Sequence, residues 1–274
     1  MTKYIVTRMD VGANLRAGPS DKATLIGNLP FSTIVEEVTV SPTKWKHIKI
    51  VDGPFAGQIG HVSDRNLSIL HSDAAGRLIQ AAAFYWGEFD RGKGKEDDDK
   101  NGNSPLGKSY KQKVLKMWDD LGAGRPPGDN TSHKKWPWSA AGMSAFVRRA
   151  GGYTGFKFSS GHHSYIKDSV KQREAGNPSC PFWGYELDDH KPRVGDLVVR
   201  WRGSVKTYAQ VKAIMNTTTT FEAHTDVVCE INPGSLWALG ANNSNSVSRV
   251  SYELDSNGYV KLTGDRFMIM KNML

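Results

Sequence analysis

The chain has 274 residues, 38% of them hydrophobic and 8 of them Trp, which is enough for one large or two modest cored domains and excludes a disordered or fibrous protein. Its 36 Lys and Arg against 28 Asp and Glu give a formal net charge of +8, favouring polyanionic partners such as nucleic acid, anionic lipid or a bacterial cell wall. Those basic residues are dispersed and no recognition helix or stacking platform accompanies them, so nucleic acid is not an expected partner.

No window reaches the apolar length that spans a bilayer, so no stable membrane insertion is expected. The opening MTKYIVTRMDVGANLR lacks the apolar segment and small-residue cleavage site of a secretory signal. The expectation is synthesis in the cytoplasm, with any wall or periplasmic target reached through another system. Cys180 and Cys229 lie in unlike contexts without C-x-x-C spacing, and read as unrelated thiols rather than a disulfide framework or thiolate metal site.

Residues 1–70 read as short strands punctuated by turns: KYIVT, a Gly-Pro turn in NLRAGPS, TLIGNL, STIVEEVTV, WKHIKIV and IGHVSDRNLSIL. Five or so such strands predict a small β-barrel. The run Asn14-Leu15-Arg16-Ala17-Gly18-Pro19, the Trp45 strand and the closing Gly60-His61-Val62 strand resemble the bacterial Src-homology-three barrel of cell-wall-associated proteins. That resemblance implies binding of peptidoglycan or a partner protein, not catalysis.

A second domain is expected over 71–274. Its first helix starts after a cap at Ser72 or Asp73 and carries Leu78, Ile79, Ala82, Ala83 and Trp86 at helical spacing. The charged, Gly-rich DRGKGKEDDDKNGNSPLGKS reads as a solvated loop, followed by an amphipathic helix YKQKVLKMWDDLG ending at Gly122. GAGRPPGDNTSHKKWP is a second long loop, and loops of that length are usually functional or mobile. Beyond it the segments RVGDLVVRWRG, YAQVKAIM, FEAHTDVVCEI, GSLWALGAN, SVSRVSYEL and DRFMIMKN read as strands. Helices followed by a run of strands predict an α+β domain with helices packed on an antiparallel sheet.

The stretch WPWSAAGMSAFVRRAG predicts a helix from Trp138 to Ala150, stopped by Gly151, with Ser139 at its start. Unpaired N–H groups and the positive end of the dipole there favour developing negative charge, although serine at a helix start most often only caps it. In FEAHTDVVCEI a strand points His224 and Asp226 to one face and Thr225 and Val227 to the other. Asn242 and Asn243 follow the next apolar strand, where asparagine ordinarily serves a turn.

Taken in order, these elements resemble the papain-like CHAP and NlpC-type peptidoglycan amidases. WSAAGMSAFVRRAG stands where those amidases have a helix opening on the nucleophilic cysteine. Pro192-Arg193-Val194-Gly195-Asp196-Leu197 matches their P-x-x-G-D-L strand, His224 their histidine, and Gly240-Ala241-Asn242 the end of the following strand. Serine replaces the cysteine, and Gly240 stands where many members carry an acidic residue. A less characterised bacterial branch, a domain of unknown function, is similar in having PWSAA followed by S-x-x-H-x-x-Y-I, matched here by Ser159–Ile166 with His162 in the histidine place.

The resemblance implies a papain-like domain with Ser139 as nucleophile, His224 as base, Asn242 or Asp226 as its orienter, and Trp138, His162 and Asn243 contacting substrate. An alcohol is not ionised near neutrality as a thiol partly is, so Ser139 needs its proton removed as it attacks. The implied activity is hydrolysis of an amide in the peptide stem of peptidoglycan, by a lysin or secreted antibacterial effector with an immunity or delivery protein as a further partner. A lipid or ester hydrolase, and an inactive wall-binding site with an evolved or installed serine, are the alternatives. No cofactor is expected. Asp97, Asp99 and Asn101 begin a calcium-loop pattern, but Lys108 stands where a bidentate Glu is needed, and His162, His163, His190 and Cys180 lack paired zinc spacing.

Overall fold

The computed structural model describes residues 2–6, 12–30, 33–40, 43–70, 73–99, 109–122, 124–126 and 136–274. The chain divides into two compact units, Met1–Ser72 and Asp73–Leu274.

The first unit holds β1 (Lys3–Val6), β2 (Ala13–Arg16), β3 (Leu25–Leu29), β4 (Ile34–Thr39), β5 (Trp45–Ile50), β6 (Ile59–Ser63) and β7 (Leu67–Ile69). They pair antiparallel in the order β3-β2-β6-β5-β4-β1-β7. Val6, Ala13, Leu15, Leu29, Val35, Ile48, Ile50 and Val62 gather into one buried cluster. These side chains come from six strands of one sheet, so the sheet must curl around them to remove them from water.

The second unit is α+β. Its helices are α1 (Ala74–Glu88), α2 (Tyr110–Leu121), α3 (Ser139–Ala150), α4 (His163–Glu174) and α5 (Tyr208–Ile214). Its strands are β8 (Phe182–Tyr185), β9 (Leu197–Trp201), β10 (Ala223–Asn232), β11 (Ser235–Asn243), β12 (Ser246–Glu253) and β13 (Arg266–Asn272). They form an antiparallel sheet in the order β12-β11-β10-β9-β13-β8. One face takes α1, α2 and α3 onto a core that includes Trp138, Phe146, Val199, Val227, Leu239 and Ala241. The other packs Val198, Val228, Ala238 and Ile269 against Leu187, Leu254 and Val260.

Local chemistry explains most boundaries. Asp73 caps α1 by accepting from Gly76 N at 2.7 Å, Ser109 caps α2 through Gln112 N, and Gly122 closes α2 in a left-handed conformation. Ser72, the other cap considered for α1, lies outside the described residues. YAQVKAIM, expected to be a strand, is instead helix α5: Thr207 and Gln210 form a full capping box at its start, which outweighs the alternation of its apolar residues. Helix α4 and strand β8 add to the elements the sequence predicts. In the Pro192–Leu197 segment, Gly195 has φ +90° and a Cβ there would meet Ala75 Cβ at 2.5 Å, so only glycine fits. Asp196 beside it is buried and accepts from Arg193 N at 2.7 Å, Asn272 N at 2.8 Å and His190 Nε2 at 2.8 Å, an architectural anchor for β9 and β13.

Candidate active site

Helix α3 differs from α1, α2 and α5 at its start. Its cap position is Trp138, whose side chain makes no capping hydrogen bond, and Ser139 is the first helical residue. The serine hydroxyl is therefore not used as a cap. It lies 2.8 Å from His162 Nε2.

His162 is carried by the turn before α4, and that turn is fixed from α3 itself. Ser144, one and a half turns along α3, donates its hydroxyl to Ser159 O at 3.0 Å and accepts from Ser159 N at 3.2 Å. Ser159 Oγ in turn accepts from Gly161 N and from Ser164 Oγ. The serines of SSGHHSYI thus lock the loop that aims the imidazole. On the ring's far side, Nδ1 is 3.1 Å from Thr225 Oγ1 on β10 and bonds Tyr165 Oη from the first turn of α4. Both hydroxyls can accept a hydrogen from Nδ1, which leaves Nε2 free to accept from Ser139. Burial, then the neighbouring His224, holds the His162 imidazole well below its ordinary value, so it is neutral near pH 7. Burial raises the Tyr165 phenol far above its own, keeping it protonated.

His224 and Asp226 do share a face of β10, and it is the face away from the helices. Register shows this: His224 pairs with Arg200 and Asp226 with Val198, whereas Thr225 pairs with Val199 on the helix side. His224 Nε2 donates to Asp226 Oδ1 at 3.1 Å. The same carboxylate accepts from Arg200 Nε at 3.0 Å, Asn243 Nδ2 at 2.8 Å and Tyr252 Oη at 2.5 Å. Arg200 Nη2 also donates to Asn243 Oδ1 at 2.7 Å. Burial pushes the Asp226 carboxyl up, but the charges of His224 and Arg200 and its hydrogen bonds outweigh that and hold it below the usual carboxylate range. Burial lowers His224, against the pull of Asp226.

Gly240 acquires a reason here. A Cβ at that position would lie 1.7 Å from Asp226 Oδ1. Where the resemblance suggests an acidic residue on this strand, the chain has an empty position, and the carboxylate that fills the space comes from the adjacent strand β10.

Ser139, His162 and His224 all line one cleft of about 980 Å³, with Pro137, Arg202, Glu222, Asn242 and Asn245 among its other walls. The two imidazole rings are 5.3 Å apart, centre to centre. Ser139 is half-buried, hence reachable, while its partner His162 is 5% exposed.

Of the site residues expected from the sequence, Ser139, His162, His224 and Asn242 line one cleft, but the pairing among them differs from the expected one. The imidazole bonded to Ser139 is His162, expected to contact substrate, not His224. Asp226, not Asn242, orients His224. Asn242 lines the cleft with φ +60°, and among the described residues its side chain has no bond to His224. Trp138 is fully buried, stacked on Phe89 at 5.4 Å and donating its indole N–H to Glu96 Oε2 at 2.9 Å, so it does not wall the cleft. Asn243 belongs to the Asp226–Arg200 network rather than to the cleft wall. Tyr165 and Thr225, absent from the expected set, are the groups behind His162. The tyrosine sits within the S-x-x-H-x-x-Y-I pattern, three residues after the histidine, and that spacing was the available signal.

Asn101 of the calcium pattern lies outside the described residues. Among the described residues no group of three or more His, Cys, Asp and Glu side chains is arranged to hold a metal ion. Both cysteines are free thiols, and among the described residues no helix is long and apolar enough to cross a membrane.

The chain is a member of the family described as "Uncharacterized protein conserved in bacteria (DUF2272)", whose model matches residues 106–271, more than half of its length. No curated protein matches it. Among solved structures it is similar to NlpC2 from Trichomonas vaginalis, with 15% identity and a TM-score of 0.25, covering 98% of this chain and 72% of that one. It is also similar to NlpC1 from the same organism, with 15% identity and a TM-score of 0.22, covering 98% and 70% respectively.

Proposed function

We propose that this protein is an acyl hydrolase in which Ser139 is the nucleophile and His162 the base, and that its substrate is an amide in the peptide stem of peptidoglycan. The observation that carries the chemistry is the 2.8 Å contact between Ser139 Oγ and His162 Nε2 at the wall of a large cleft, a nucleophile–base distance suited to proton transfer. Ser139 Oγ attacks the carbonyl carbon as its proton passes to Nε2. The negative charge that develops on the carbonyl oxygen meets the N–H groups at the uncapped start of α3. The scissile bond then breaks with the Nε2 proton leaving on the amine. A histidine held well below its ordinary value is a weak base but a strong acid toward that amine.

The substrate class rests on the resemblance to wall amidases and on the +8 charge, which suits an anionic wall. In this reading the N-terminal unit is the Src-homology-three-like wall-binding module, and a separate system delivers the protein to the wall. A second reading, ester or lipid hydrolysis, is favoured by one observation: His162 Nδ1 meets the neutral hydroxyls of Thr225 and Tyr165 instead of a carboxylate. Less support for the imidazolium matters least when the leaving group is an alcohol.

Incubation with peptidoglycan sacculi and with phospholipid vesicles, beside a Ser139→Ala control, separates these. New amine termini support the amidase and free fatty acid the lipase. Neither product, with sacculi still pulled down, leaves a binding module only. A fluorophosphonate probe should label Ser139 in the wild type and nothing in Ser139→Ala; an unlabelled Ser139 overturns the nucleophile assignment.

A further inference from the structure

Three histidines line the cleft. His163 packs against Phe221 with ring centres 6.1 Å apart, while His162 and His224 are a buried pair where one histidine serves a serine hydrolase. His162 faces Ser139 and is backed by neutral hydroxyls. His224 faces the same cleft and is backed by a carboxylate, itself held by Arg200, Asn243 and Tyr252. Four buried polar side chains fix one imidazole, an arrangement that is unfavourable to desolvate unless every member is paired. Because ionised Asp226 can only accept, His224 Nε2 must carry the hydrogen, which leaves Nδ1 of a neutral ring as the acceptor. His224 thus has the tautomer and the anionic backing of a general base, yet it is not the partner of the nucleophile.

We propose that His224, oriented by Asp226, is a second catalytic base that activates the water for deacylation, dividing the reaction between two histidines. This rests on the Ser139 acyl-transfer reading. In acylation the serine proton goes to His162 and departs on the leaving group, so both imidazoles are neutral in the acyl-enzyme. In deacylation a water oxygen bonds the acyl carbon and gives one proton to His224. The bond from that carbon to Ser139 Oγ breaks, and the serine oxygen takes its proton back from the His224 imidazolium through the cleft water. The acid product then leaves. The division follows from what lies behind each ring: with a carboxylate at its other nitrogen, His224 stabilises the proton drawn from water better than His162 can.

The test uses p-nitrophenyl acetate with the full chain, His224→Gln and the milder His224→Asn. Wild type should turn over without a lasting adduct. The His224 variants should release a burst of about one equivalent of p-nitrophenol, keep an acetyl group on Ser139 by intact mass, and deacylate on the order of 10²–10⁴-fold more slowly. Hydroxylamine, which attacks without a base, should discharge the adduct and restore turnover. Fluorophosphonate labelling of Ser139 needs only the Ser139–His162 pair and should persist in at least one variant, altered far less than deacylation. Burst and steady state slowed equally, turnover without an adduct, no rescue by hydroxylamine, or labelling lost in both variants each overturns the second base. Failure of the wild type to label or acylate instead overturns the acyl-transfer reading beneath it.

Discussion

The two faces of strand β10 carry different chemistry within three residues. Thr225 on the helix side meets His162 and Tyr165 through neutral hydroxyls. His224 and Asp226 on the other side join an ionic network with Arg200. The neutral face leaves its histidine free to give up a proton, and the ionic face fixes its histidine in one tautomer. A single strand can host both because successive side chains point to opposite faces.

Disabling the neutral face at its centre should have the largest effect. His162→Gln is expected to lower the rate of fluorophosphonate labelling at Ser139 by about 10²–10⁴-fold with the melting temperature little changed, read by time-resolved mass spectrometry. On the ionic face, Asp226→Ala removes the buried carboxylate paired with Arg200, leaving it the longer 3.6 Å contact to Asp265, and should destabilise by about 3 kcal/mol in urea unfolding. Gly240→Ala pushes a methyl group into that same carboxylate without removing it, and about 1–3 kcal/mol is expected by the same measurement.

Acid should act on both faces together. Burial lowers both imidazoles in the folded protein, so below about pH 6.5 the unfolded chain binds protons that the folded chain refuses. Their stabilising effect is intact above that pH and is lost as pH falls toward the folded values, by about 1.4 kcal/mol per pH unit for each histidine. Urea midpoints between pH 7.5 and 5.5 should therefore fall more steeply in the wild type than in a His162→Gln/His224→Gln double variant. The smallest effect should come from Thr225→Val, which removes one of two hydroxyls behind His162. A loss of about 1 kcal/mol is expected, and combination with Tyr165→Phe should exceed the sum of the single changes if the three groups act as one network.

The helix with Ser139 at its start, a cap at Ser72 or Asp73, the stop at Gly122 and the alternation that puts His224 and Asp226 on one face were all legible in the sequence. Each depends on residues within a turn or two of one another, and short-range sterics and hydrogen bonding are enough to decide them. The capping box that makes 208–214 a helix was legible too, but the apolar alternation of that segment pointed to a strand.

Which histidine meets Ser139 was decided only by the tertiary structure. Residues 139, 162 and 224 lie on different elements, and the distances between those elements follow from how α3 and α4 pack on the sheet and from the serine lock on the 159–164 turn. Gly240 makes the same point. As a letter it is a missing acid, and its meaning appears only when β10 and β11 pair and the Asp226 carboxylate is found in the space a side chain would have filled.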